Sequence, residues 1–232
     1  MRHLILFDID GTLVSGGPAK LAFQEAMMEV YGATGPVGGY VFSGKTDPQI
    51  ARGLLDATGM DPREIEAGFE ALWEAYLGGL AARLGDAPMD LLAGVGELMV
   101  TLQTDPDVAL GLVTGNILPG ARLKLESVGF GVGDDGHFIV GGYGSDHEMR
   151  DHLPGIAMER ARRHWEVDFS RDRIWVVGDT PLDVQCGLHH GVRTLAVATG
   201  NYSVDELEAT GAHVVVPDFR DLAQTTEILL NG

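Results

Sequence analysis

The segment Leu4-Ile5-Leu6-Phe7-Asp8-Ile9-Asp10-Gly11 constrains the fold of this chain more than any other. Leu4–Phe7 is a short, wholly apolar run, as expected of a parallel strand buried on both faces. Asp8 and Asp10 follow where that strand should end, and Gly11 lets the backbone turn. In an open α/β sheet, ligands bind beyond the carboxyl ends of the strands, which is where these acids stand. Alternate residues of an extended segment point the same way, so the two carboxylates converge on one small volume. There they repel unless a cation joins them or one takes a proton. A polar turn would use Asp and Gly for geometry alone. A calcium loop would need more acidic ligands at fixed spacing, behind a helix. The stretch from Asp8 to Leu13 favours a catalytic site over either.

The 232 residues suit one large domain, or a core carrying a smaller insert. A formal charge of −18 argues against nucleic acid and anionic membrane as partners, because both reward basic surfaces. On such a chain, any anion site must be made locally positive by a metal, a few Lys or Arg residues, and helix N-termini. The single cysteine, Cys186, can form no internal disulfide, which fits a reducing cytoplasm. The apolar run near the start is too short for a signal peptide or a membrane span. A cytoplasmic, acidic, globular protein is expected, with no nucleic-acid or membrane partner.

Five apolar runs read as strands: Leu4–Phe7, Val108–Val113, Ile174–Val177, Thr194–Val197 and His213–Val216. Helical patterns lie between the later runs, and this alternation predicts an α/β fold with a parallel sheet covered on both faces. These helices read as Pro119–Val128, Leu153–Trp165, Pro181–His190, Val204–Thr210 and Asp221–Leu230. The gap between the first two strands is too long for one crossover. Residues 15–90 read instead as an all-helical insert, with residues 1–14 and 91–232 as the core. Pro18 opens its first helix and Gly32 closes it, Asp47-Pro48 opens a second, and Asp61-Pro62 a third, with Glu64 placed for a capping box. The stripe Phe69, Leu72, Trp73, Tyr76 and Leu80 reads as helix-to-helix packing within the insert.

Further strand ends carry polar groups. The second run delivers Thr114 and Asn116, which with the following helix N-terminus make a cradle for phosphate oxygens, or else cap that helix. The third delivers Asp179 in the same position as Asp8, so a shared divalent ion is physically attractive, and carboxylates with water suit Mg²⁺. Asp183 closes a capping box with Thr180 and is compatible with holding a metal-bound water.

Asp8-Ile9-Asp10-Gly11-Thr12-Leu13, Thr114 at its strand end, and Gly178-Asp179-Thr180-Pro181-Leu182-Asp183 resemble three signature motifs of the haloacid dehalogenase superfamily. Their order, with a helical insert after the first, is similar to the phosphoglycolate phosphatase-like branch. The resemblance covers essentially the whole chain. It implies a Rossmann-like, doubly wound core with an inserted helical cap, and a Mg²⁺-dependent phosphatase acting on a small phosphorylated metabolite. In it Asp8 would attack phosphorus to form an aspartyl phosphate, and Asp10 would protonate the leaving alcohol and then activate water. Mg²⁺ would be held by Asp8, the carbonyl of Asp10 and Asp179, with Asp183 nearby. Thr114 and Asn116 would hold the phosphoryl group.

The family's remaining motif is a cation ahead of the third motif's strand, often Lys followed by Pro. This chain lacks that pair; Arg150 is the best match and Arg160 its competitor. Lys45, beside the helix opened at Asp47-Pro48, would contact a carboxylate or second polar group on the substrate, as in phosphoglycolate. Asp10 disfavours dehalogenation. A sugar-phosphate mutase of the same superfamily and a non-catalytic ligand-binding protein on this fold are the alternatives.

Overall fold

The computed structural model describes residues 2–232. Six parallel strands form the main sheet: β1 (His3–Phe7), β4 (Val108–Thr114), β5 (Val140–Tyr143), β6 (Ile174–Gly178), β7 (Arg193–Val197) and β8 (Val214–Val216). Their spatial order is β5-β4-β1-β6-β7-β8. The order reverses at β1, which pairs β4 on one side and β6 on the other. That is the switch point where open α/β sheets leave a crevice.

Strand alternation builds both layers of the core. Ile5 and Phe7 of β1 and Trp175 and Val177 of β6 face one side, together with Leu98 and Leu102 of α4 (Val95–Thr104) and Leu125 of α5 (Leu118–Glu126). Leu4 and Leu6, with Ile174 and Val176, face the other, against Leu153, Ala157 and Ala161 of α6 (Leu153–Trp165) and Cys186 of α7 (Pro181–His189). This double burial is why the strands read as continuous apolar runs. Helix α4 carries a regular stripe at Val95, Leu98, Met99 and Leu102, yet it lies outside the helices expected above, as does β5, whose sequence VGGY is half glycine.

Between β1 and β4 stand α1 (Ala19–Tyr31), α2 (Asp47–Asp56) and α3 (Pro62–Leu84). Phe23 of α1 packs edge-on against Tyr76 of α3 at 5.3 Å between ring centroids, so the expected aromatic stripe does pack helix to helix. Two elements of this segment are not helical. β2 (Val14–Gly16) and β3 (Met89–Leu91) pair antiparallel, Gly16 opposite Met89 and Val14 opposite Leu91. The chain therefore leaves and returns through adjacent backbone. The capping box expected at Asp61 and Glu64 also differs: Asp61 accepts from the Arg63 N–H at 2.7 Å, one residue short of that geometry.

Candidate active site

Asp8 follows β1, Thr114 ends β4, and Asp179 follows β6, so the two neighbours of the central strand carry their polar ends to the same edge of the sheet as Asp8. A cavity of about 870 Å³ opens over this edge, with α1, α3 and the loop before α2 forming its far wall.

Asp8 is 4% exposed and stands 3.0 Å from Nη2 of Arg150, which is itself buried. The same nitrogen donates to Asp183, and Nη1 donates to the Gly44 carbonyl at 3.1 Å. Arg150, not Arg160, is thus the cation at the strand ends; Arg160 pairs with Asp146 at 2.5 Å. Burial pushes the Asp8 carboxyl up to about 6; Arg150 pulls it down, and Asp183 and Asp10 push it up again. Nε of Arg150 is buried without a partner.

Asp179 has less help. Its Oδ1 accepts from the Thr12 hydroxyl at 3.1 Å. Burial, then the charges of Asp183 and Asp8, push its carboxyl up to about 8. Gly11, at φ +87°, lies directly against this carboxylate, and a side chain there would collide with it. Asp8, Asp179 and Asp183 each bring a carboxylate oxygen within 4.8 Å of the others. Both Asp183 oxygens are already engaged, one by Arg150 and the other by the Thr180 N–H and hydroxyl at 3.0 and 2.6 Å. Buried, anionic, hard oxygens with one guanidinium among three acids fit a small divalent cation such as Mg²⁺, with Asp8 and Asp179 as the acids left to hold it.

Asp10 lies outside this cluster. Both of its oxygens accept from Lys124 Nζ, at 2.8 and 2.7 Å, and Asn116 Nδ2 adds a 2.7 Å bond. Burial opposes its charge, but Lys124 and Asn116 together prevail and hold its carboxyl below the usual carboxylate range. Lys124 remains charged for the reciprocal reason: burial works against the ammonium, and Asp10, Tyr76 and Asp47 outweigh it. Its third donor goes to Asn116 Oδ1 at 2.6 Å. The sequence reading missed Lys124. The signal was its place on α5, where Gly120, Ala121, Lys124 and Leu125 form the buried face.

Asn116 was expected to cradle phosphate. It lines the cavity, and its side-chain amide joins Asp10, Lys124 and Thr114, donating to the Thr114 Oγ1 at 2.8 Å. Thr114 is fully buried at the strand end and lines the cavity. Lys45 also lines the cavity, with Nζ 4.0 Å from the centroid of the Tyr40 ring. Thr46 caps α2 in a capping box with Gln49. Asp47 turns inward instead and accepts from the Ile117 N–H at 2.8 Å, and burial pushes its carboxyl up to about 6. His147 and His152 stack on each other at 3.8 Å, and neither belongs to a metal-ligating group among the described residues.

Several known proteins are similar. A hydrolase from Pseudomonas syringae superposes with a TM-score of 0.69 at 20% identity, covering 98% of this chain and 99% of its own. CbbY from Rhodobacter sphaeroides, solved in complex with phosphate, gives 0.63 at 20% identity with 96% of each chain covered. At these identities the likeness shows the fold. The tyrosine-protein kinase PtkA of Mycobacterium tuberculosis is 28% identical over 215 residues, which is 92% of this chain and 68% of that protein. The model of haloacid dehalogenase-like hydrolases matches residues 5–187, and a second, of HAD-hydrolase-like proteins, matches residues 154–222. The first match runs from within β1 into α7, across Asp8, Asp10, Asp179 and Asp183, and the chain belongs to the haloacid dehalogenase-like hydrolase family.

Proposed function

We propose that this protein is a Mg²⁺-dependent phosphatase of small phosphorylated metabolites, with Asp8 as nucleophile. The observation that carries the reading is the buried Asp8 carboxylate set between Arg150 and the cluster with Asp179 and Asp183. A carboxylate there attacks phosphorus as the ester P–O bond breaks, and Asp8 becomes an aspartyl phosphate. Asp10 gives its proton to the departing alcohol; it then takes a proton from the water whose attack breaks the P–O bond to Asp8. In the present arrangement Asp10 is the base form, held by Lys124, and an arriving phosphate dianion beside it raises the penalty on its charge and favours protonation. Arg150, with Nε unpartnered, has a donor left for a phosphoryl oxygen. Thr114 bounds the phosphoryl site at the β4 end, and Asn116 supports it by orienting Asp10. Asp8 and Asp179 would hold Mg²⁺, with the Asp10 carbonyl and a water near Asp183 as further oxygen ligands. The ion supplies charge neutralisation, so that one anion can approach another.

In this reading residues 1–14 and 91–232 are the catalytic core and residues 15–90 the cap. Among the described residues no helix is long and apolar enough to cross a membrane, and the acidic composition with one buried thiol suits work in the cytoplasm. The test is a screen of phosphorylated metabolites, with and without Mg²⁺, following free phosphate. Because the mycobacterial relative is named a tyrosine-protein kinase, the same screen follows label on protein tyrosine. Isomerised sugar phosphate in place of free phosphate would identify a mutase. Silence toward every ester, with intact ligand binding, would leave a non-catalytic binding protein.

A further inference from the structure

Asp47 is a buried carboxylate that the proposed reaction does not use. It is the first residue of α2, yet both of its polar ends reach the stretch that follows β4. Its N–H donates to the Gly115 carbonyl at 2.8 Å, and its Oδ2 accepts from the Ile117 N–H at 2.8 Å. The residue held between these two grips is Asn116, whose amide donates to Asp10 and accepts from Lys124. The fit is close, since a side chain at Gly115 would collide with the Lys45 carbonyl.

The second grip also starts a helix. Ile117 is the N-cap of α5 and offers no side-chain acceptor, and the first turn of α5 carries no acid. The first N–H groups are met from other elements instead, Ile117 by Asp47 and Leu118 by the Ser145 hydroxyl at 3.1 Å. The helix dipole favours a carboxylate at that end. Lys124 lies seven residues beyond Ile117, two turns along and on the same side of the helix. Tyr76 of α3 packs on the turn between them, so near that a Cβ at Gly120 would stand 3.5 Å from its ring. Asn116 and Lys124, the two groups that hold Asp10, therefore both take their placement from the stretch that Asp47 grips.

From this geometry, and resting on the phosphatase reading above, we infer that Asp47 is a positioning residue for the acid–base step assigned to Asp10. It touches no reacting atom; it fixes Asn116 and the start of α5, and these orient the Asp10 carboxyl. In that step the ester P–O bond breaks, the bond from Asp8 to phosphorus forms, and the Asp10 proton goes to the departing alkoxide oxygen. A p-nitrophenolate leaves as the anion and needs no proton. Loosening the grip should therefore slow alkyl esters and spare transfer from an aryl ester.

The test compares wild type, Asp47→Ala and Asp47→Asn on β-glycerol phosphate and p-nitrophenyl phosphate. For Asp47→Ala, kcat/KM on the alkyl ester should fall by about 10–100-fold, as expected when a catalytic group is misplaced by about 1 Å. On the aryl ester kcat/KM, which ends with transfer to Asp8, should stay close to wild type. Its kcat should fall behind a burst of p-nitrophenolate, because water then attacks the aspartyl phosphate without a well-placed base. Asp47→Asn keeps an oxygen that accepts the Ile117 N–H and should behave as wild type on both esters. Should Asp47→Ala fail to fold, Asp47→Ser carries the comparison, being polar but one bond too short for that contact. An alkyl-to-aryl ratio unchanged in Asp47→Ala, parallel loss of kcat/KM on both esters, or an Asp47→Asn variant as impaired as Asp47→Ala overturns the positioning role and leaves the phosphatase reading standing. Wild-type release from the aryl ester alone also overturns it, since no acid then assists departure. No wild-type release from either ester overturns both readings.

Discussion

Asp8 shares a single guanidinium with Asp183, whereas Asp10 is, among the described residues, the one carboxylate ion-paired to the Lys124 ammonium and has an amide besides. The side chain of Asp8 is 6% exposed and that of Asp10 46%, because Asp10 looks into the cavity. Both differences act in the same direction. At Asp8 desolvation outweighs a divided cation and the carboxyl rises to about 6; at Asp10 the Lys124 ammonium and the Asn116 amide together outweigh desolvation and the carboxyl falls. Two residues of one type, separated by one position, thus sit in opposite electrostatic settings, which suit the nucleophile and base roles proposed for them above. Their motif alone carries no trace of that division, since it depends on Arg150 and Lys124, which come from distant elements.

The comparison breaks most visibly at the acids. Asp8→Asn should bring phosphate release to background, because an amide cannot form the acyl phosphate. Asp10→Asn should lower turnover by roughly 10²–10⁴-fold, the usual contribution of a positioned acid or base, while Mg²⁺ affinity measured by titration stays close to wild type. Substantial release by Asp8→Asn would end the proposed mechanism.

A smaller effect tests the Lys124 side. Lys124→Met should destabilise the protein by about 1–3 kcal/mol in urea unfolding, since Asp10 then retains only Asn116. Adding Asp10→Asn should recover part of that loss, and the double-mutant cycle should show a clear coupling energy. Zero coupling would mean that the two groups do not depend on each other.

The Asp8 and Asp179 side is tested by pH. The folded chain holds the protons of these raised carboxyls more tightly than the unfolded chain does. Their contribution is complete below the unfolded carboxylate value of 3.8 and is lost as pH rises through about 6 and then about 8. Without divalent ions, the melting temperature should therefore fall between about pH 5.5 and 8.5, by about 2–4 °C for each kcal/mol involved. Mg²⁺ should raise it more at the upper end of that window than at the lower. A flat profile without metal would remove the electrostatic case for the site. Smallest of all, Thr12→Val should cost about 1 kcal/mol, as it deprives Asp179 of its one hydroxyl donor. It should also make the metal-free pH dependence steeper.

Legibility followed the range of the forces involved. Strand ends, helix starts and the Thr180–Asp183 capping box depend on neighbours in sequence, and they stand where the pattern placed them. The six-stranded parallel sheet follows from apolar runs alternating with helices. β5 escaped because Gly141 and Gly142 carry no hydrophobic signal, and β2 with β3 because each is three residues long and defined only by the other. Within the site, the acids were legible as a cluster because β1 and β6 end side by side at one edge. The Lys124 contact was not, since it spans 114 residues of sequence. The only local hint was a charged residue on the apolar face of α5.

The short ladder joining Val14–Gly16 to Met89–Leu91 gives the molecule a socket. Everything between Gly17 and Pro88 leaves and returns through two adjacent backbones, so the sheet experiences more than seventy residues as one tight connection. Loop-closure entropy grows by only about 0.6 kcal/mol per doubling of length, so the plugged-in segment is nearly free to change size. In the proposed cap-and-core reading its contents can vary while Asp8 and Asp179 keep their places at the strand ends, with Gly44 and Asp47 tying the segment back to Arg150 and Ile117. In that reading, substrate choice and bond-breaking would be separable inheritances, joined at the three residue pairs of this ladder.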